Sequence, residues 1–137
     1  MGILLKTVVF LAAAVIAAST ASIAPAHAID SSIARQLNAL DPQERREQRC
    51  DIEAMSRIAK AGEGFRPDKV IAYSRADIIE KGDDIRAPGA VFRSAGDWYK
   101  LKFKCRTGDE GLGIVSFDYK IGEKIPRSEW DRLYLYD

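Results

Sequence analysis

The chain has 137 residues, with 21 Lys and Arg against 20 Asp and Glu, and one histidine. Such a balance excludes a global field drawing it to nucleic acid or anionic lipid, so any attraction of that kind has to be local. The length suits one domain built around one core.

Met1 to Ala28 reads as a secretory signal peptide. Lys6 gives the positive start, Val8 to Ala18 is an unbroken apolar run, and Ala26, His27 and Ala28 form a small-x-small cleavage site. Extending the apolar run to Ala24 allows a rival reading as an uncleaved anchor, but about 17 residues is the short limit for a span. The Ala-rich character, the hydroxyls of Ser19, Thr20 and Ser22 and the cleavage site favour removal. Cleavage leaves a single domain, residues 29–137, periplasmic or secreted. Lys6 is the leader's one charged residue, so 20 of the 21 basic residues remain against 20 acidic ones. His27 leaves with the leader. A mature chain without histidine cannot run a Ser-His-Asp or Cys-His mechanism and lacks the commonest metal ligand. Two cysteines alone do not make a structural zinc set, and no metal or cofactor is expected.

A short amphipathic helical piece, Ile33 to Leu40, precedes the main helix, Pro42 to Ala61. Asp41 can cap its free amides, Pro42 suits the first position, Glu44 completes a capping-box spacing, and Gly62 suits a left-handed stop. Cys50, Ala54, Ile58 and Ala61 make a narrow apolar stripe that Met55 widens. Glu44, Arg45, Glu47, Arg49, Glu53 and Arg57 fall on the other side and read as a solvated face.

Strands follow. Val70 to Ser74 is the first, and Ile78-Ile79 begins a second. Pro88-Gly89 fits the centre of a type II turn. Val91 to Ser94 leads through Ala95, Gly96 and Asp97 into Trp98 to Arg106, and after the loop Thr107 to Gly113 the last strand runs Ile114 to Ile121. Pairing Phe103 with Phe117 puts Cys105 opposite Val115, Leu101 opposite Tyr119 and Tyr99 opposite Ile121 on one apolar face. The other face then receives Lys104 with Ser116, Lys102 with Asp118 and Lys100 with Lys120. The helix is the one long apolar stripe available to cover that sheet. The fold class is therefore α+β, with the helix packed on an antiparallel sheet of about four to five strands.

Cys50 falls on the helix stripe and Cys105 on the apolar sheet face, and the two placements converge on one helix-to-sheet disulfide closing 55 residues. A redox switch or two free thiols remain alternatives, although catalytic pairs are usually Cys-x-x-Cys.

Four further features invite a functional reading. Gly108 to Gly113 does not match a phosphate-binding loop and reads as a mobile hairpin loop. Gly82-Asp83-Asp84 and Asp109-Glu110 lack calcium-loop spacing and read as turns. Lys100, Lys102, Lys104 and Arg106 alternate along one strand, so all four project from one face as a basic strip able to meet an anionic polymer or envelope surface, or as a solvated sheet face. Ser128 to Asp131 looks like a capped turn, with Trp130, Leu133 and Tyr134 sharing a face, together with Trp98 and Tyr136 either a flap closing the core or an exposed aromatic contact site.

The runs LDPQERREQRCDIEAMSRI, FRPDKVIAY, APGAVFRSAGDWYKLKFKC and SFDYKIGEKIPRSEWD resemble the bacterial family known as domain of unknown function number 930. The resemblance covers about Leu37 to Asp137. It implies that both cysteines belong to the family's pattern and that the context is an exported bacterial protein; it transfers no catalytic or ligand-binding position.

The expectation is an exported accessory or binding protein without enzymatic activity, holding an envelope component or another exported protein. One alternative is a small carboxylate-dependent hydrolase or lyase drawing on Glu80, Asp83, Asp84, Asp118 and Glu123, which needs two carboxyls facing one cleft at roughly 5–10 Å. Another is an inhibitor of an extracellular enzyme that presents the loop Thr107 to Gly113.

Overall fold

Pro42 opens the longest helix of the computed structural model, which describes residues 29–137. Met1 to Ala28, the segment read above as a signal peptide, lies outside the described residues. Helix α1 spans Ser31–Asn38 and α2 spans Pro42–Lys60. Asp30 caps α1, its Oδ1 accepting the Ser32 amide at 2.7 Å. At α2 the expected cap is not made: Asp41 sits at the N-cap position without a side-chain hydrogen bond, and its carbonyl accepts the Arg45 amide. Proline at the first position removes one free amide, so the helix starts without a capping box. The stop is as expected, with Gly62 at φ 75° just beyond Ala61.

Five antiparallel strands follow: β1 Pro67–Ile71, β2 Ile79–Lys81, β3 Asp84–Ser94, β4 Asp97–Gly108 and β5 Gly113–Lys124. The sheet order is β1-β3-β4-β5, with β2 pairing the early part of β3. Helix α2 covers one face, and the fold is the expected α+β layer. Ala95 and Gly96, both at positive φ, turn β3 into β4 between the paired Ser94 and Asp97.

Three expectations are corrected by β-bulges. Pro88 and Gly89 form no turn; they lie inside β3, where Ala87 pairs Phe103 and Ala90 pairs Leu101, so two residues oppose Lys102 alone. Proline suits the bulge because no amide is demanded of it. Glycine suits it because the backbone of Arg75 and Ala76 runs against it: a Cβ there would lie 2.2 Å from the Ala76 nitrogen, and the Gly89 carbonyl accepts the Arg75 amide at 2.9 Å. The β4–β5 register differs by two residues from the expected one, pairing Phe103 with Tyr119, Cys105 with Phe117, Leu101 with Ile121, Lys104 with Asp118 and Lys102 with Lys120. One cause is a bulge at Val115, between the pairs Arg106–Ser116 and Thr107–Ile114, which turns Val115 outward. A second bulge sets Gly122 and Glu123 against Lys100, so Tyr99 pairs Lys124 rather than Ile121. A shift of two preserves the faces while changing every partner.

The core lies between α2 and the sheet, with Cys50, Ala54, Ile58, Ile85, Phe92, Leu101 and Phe103 buried there. Phe65, Phe92 and Tyr99 pack as a ring cluster with centroids 5.0–5.3 Å apart. Cys50 and Cys105 are disulfide-bonded across this layer, their Cα atoms 6.0 Å apart.

A second, smaller core sits on the sheet's other face. There Val91 and Trp98 meet Ile125, Trp130, Leu133 and Leu135 from the C-terminal segment. This segment is two 3-10 turns, Arg127–Glu129 and Asp131–Leu133; Ser128 lies inside the first and caps nothing. Trp130 and Leu133 are buried as a flap should be, but Tyr134 takes a left-handed conformation (φ 55°) and points to solvent. The Trp98 indole donates to the Tyr136 carbonyl at 2.9 Å, which fixes the flap's end.

The charged side of α2 is only partly solvated. Arg49 and Glu53 are buried, joined at 3.1 Å, with Arg57 closing on Glu53 at 2.7 Å. Burial opposes the Glu53 charge, but hydrogen bonds from Arg57 and Arg49 outweigh it and hold its carboxyl below the usual range.

Candidate functional site: the outer face of the sheet

Alternation along the strands decides which side chains reach the surface away from α2. On β4, Trp98, Lys100, Lys102, Lys104 and Arg106 share that outer face, while Leu101, Phe103 and Cys105 face the helix. Strand pairing adds what a single strand could not show. Arg86 lies beside Lys104, and Lys120 lies beside Lys102. The flap covers only the Trp98 end, so the rest of the face is bare.

The bare part holds two adjoining hollows, each of about 490 Å³, and a third of about 270 Å³ toward Lys100 and Glu123. Their walls carry eight cations (Arg75, Lys81, Arg86, Lys100, Lys102, Lys104, Arg106 and Lys120) against three carboxylates, Asp84, Asp118 and Glu123. Two of those carboxylates are already engaged. Arg106 grips Asp84 with two hydrogen bonds of 2.7–2.8 Å, and Lys100 meets Glu123 at 2.7 Å. These contacts hold both carboxyls below their usual range. Lys81, Arg86, Lys102, Lys104 and Lys120 have no carboxylate within 4 Å among the described residues. Exposed Ile79 and Val115 supply apolar margins.

In a domain with 20 basic and 20 acidic residues, this face takes eight and three, leaving twelve and seventeen for every other surface. The charge is segregated, and the bare sheet is its positive pole.

The five acids considered for catalysis do not gather in one cleft. Asp84 and Asp118 both line the first hollow, but Asp84 is neutralised by Arg106, and Glu123 is neutralised by Lys100. The carbonyl of Asp83 accepts the Thr107 amide at the start of the β4–β5 turn. Glu80 keeps carboxylate company of a different kind, with Glu47 between β2 and α2. Burial, with Glu47 alongside, raises its pKa, and burial with Glu47 also pushes Asp51 up to about 8. Glu47 and Asp51, four apart on α2, were not singled out from the sequence; like charges at that spacing beside a buried stripe were the available signal. None of the three lines the outer hollows.

Nor does the loop Thr107 to Gly113 project. Thr107 and Gly111 are buried, Asp109 and Glu110 both take positive φ, and the turn is held to α2 by two arginines. Arg49 Nε donates to the Leu112 carbonyl at 2.8 Å, and Arg45 donates to the Glu110 carbonyl at 3.1 Å and to the Leu37 carbonyl, also at 3.1 Å.

No curated protein and no solved structure matches the chain. The profile described as Domain of Unknown Function (DUF930) matches residues 37–135, a span that takes in α2, all five strands and the flap. The chain belongs to that family.

Proposed function

We propose that residues 29–137 are an exported binding protein, periplasmic or secreted after removal of Met1 to Ala28, which holds an envelope component or another exported protein on the outer face of its sheet and does no chemistry on it. The observation that carries this reading is charge segregation: eight cations against three carboxylates on one uncovered face of a domain that is neutral as a whole. Loose lysines in such numbers repel one another and stabilise nothing, so a role in meeting an anionic partner accounts for them. The Cys50–Cys105 disulfide supports an oxidising compartment. No helix of the described residues is long and apolar enough to cross a membrane, which is compatible with release from the leader.

Co-sedimentation with washed envelope fragments tests the reading. The wild-type protein is expected in the pellet at low salt and in the supernatant at high salt, and a Lys102→Glu, Lys104→Glu, Lys120→Glu protein is expected to stay soluble throughout. Equal sedimentation of the two proteins would contradict it.

A further inference from the structure

We infer that the ligand of this face is a linear chain of regularly repeated phosphate groups, lying along β4; the inference rests on the binding role just proposed. Three observations lead to it.

The first is spacing. Lys100, Lys102, Lys104 and Arg106 recur at every second residue of one strand, so their attachment points are roughly 7 Å apart over a strip of about 20 Å. Lys120 sits directly across from Lys102, and Arg86 across from Lys104, which widens the strip into a lattice interrupted by one carboxylate, Asp118, on the other side of Lys104. A lattice of evenly spaced cations suits a polymer whose charge repeats evenly, more than a folded partner with an irregular surface.

The second is the kind of contact on offer. The middle of a sheet face has no free backbone amides or carbonyls, because the ladder uses them, so a peptide could not be read there by strand addition. Recognition falls to side chains, and four of the six cations there without a salt bridge are lysines, which act as point charges without directional demand. Arg106, whose fork would grip a carboxylate or a phosphate in bidentate fashion, is already occupied by Asp84, which leaves the contacts mainly to the lysines.

The third is relief. The C-terminal flap packs on the same face, burying Trp98 and Val91 under Trp130, Leu133 and Leu135. It stands one layer above the sheet, about 10 Å. A planar bilayer resting on the flap would be held away from the lysines beside it, whereas a single chain fits the step and the hollows of about 490 Å³ below it.

The test is a binding titration of the disulfide-bonded protein with four probes: long-chain inorganic polyphosphate, tripolyphosphate, poly-glutamate and vesicles rich in anionic phospholipid. Polyphosphate is expected to bind most tightly, with a log–log salt slope near −3 for about four neutralised charges. Tripolyphosphate is expected to bind at least tenfold more weakly, since it cannot span the strip. The Lys102→Glu, Lys104→Glu, Lys120→Glu protein should lose roughly a hundredfold in polyphosphate affinity, whereas Lys60→Glu, Lys69→Glu should match wild type. Should the glutamate protein melt early, the corresponding glutamine protein serves in its place. Tighter binding of vesicles or poly-glutamate, equal binding of tripolyphosphate, or indifference to the triple substitution would each overturn the inference. If polyphosphate fails to bind while envelope sedimentation still depends on the three lysines, the phosphate chain is wrong and the binding role stands.

Discussion

Arg49 and Leu112 are joined by a hydrogen bond of 2.8 Å, from the guanidinium Nε in mid-α2 to a carbonyl in the β4–β5 turn. The same buried guanidinium is paired with Glu53 at 3.1 Å. The helix therefore holds the end of the sheet hairpin whose other face carries Lys102, Lys104 and Lys120. Removing Arg49 strands a half-buried carbonyl and weakens the hold on Glu53, although Arg57 remains as a partner. An Arg49→Met protein is expected to lose about 2–3 kcal/mol in urea unfolding, with faster amide exchange concentrated at residues 109–113.

The disulfide carries a larger share of the stability. Closing 55 residues between Cys50 and Cys105 constrains the unfolded chain, for which the chain-entropy estimate is about 4 kcal/mol. A Cys50→Ala, Cys105→Ala protein should therefore melt roughly 10–20 °C lower than wild type. An unchanged melting temperature would mean that the bridge contributes nothing to the fold.

Asp51 imposes a pH dependence. Burial and the neighbouring Glu47 push its pKa up to about 8, and its Oδ1 has no hydrogen-bond partner. The native state keeps that proton to higher pH than the unfolded chain, so stability is greatest below the unfolded pKa and falls as pH rises through the native one. The sensitive window runs from about 4 to 8. Between pH 5 and 8.5 wild type is expected to lose about 2–4 kcal/mol through this group, at about 1.4 kcal/mol per pKa unit discounted for relaxation. Asp51→Asn should lose less over the same range, keeping only the share from Glu80, whose pKa is also raised, and should be more stable at the alkaline end.

Gly89 admits no side chain. A Cβ would lie 2.2 Å from the Ala76 nitrogen and 2.7 Å from the Arg75 carbonyl carbon, both backbone atoms that no rotamer change can relieve. Gly89→Ala is expected to cost at least about 3 kcal/mol, read as a lower urea midpoint at unchanged slope. Gly82→Ala, at positive φ but with open space around it, should cost about 1 kcal/mol.

Much of this fold was legible because local and global preferences agree. The Cys50, Ala54, Ile58 stripe and the Leu101, Phe103, Cys105 alternation each mark a buried face, and the two cysteines meet where those faces do. What could not be read depends on neighbours distant in sequence. Pro88-Gly89 looks like a turn in isolation and becomes a bulge because Arg75 and Ala76 run against it. Val115 fits a core position by alternation, yet a bulge turns it outward and supplies one of the two residues by which the register moves. Arg49 and Glu53 look solvated by composition and are buried because a turn about 60 residues later supplies a carbonyl. The basic strip on β4 was visible from its period, whereas Arg86 and Lys120 joined it only through strand pairing.

Lysine footprinting gives the most direct measurement of the working surface. The protein is labelled with an amine-reactive reagent, free and bound to envelope fragments, and the labelled positions are compared. Lys102, Lys104 and Lys120 should be protected in the bound state, while Lys60 on α2 and Lys69 on β1, both exposed and off that face's bare region, keep their reactivity. Protection of Lys60 or Lys69 with Lys102, Lys104 and Lys120 labelled as in the free protein would place the partner elsewhere and contradict the assignment of the outer sheet face.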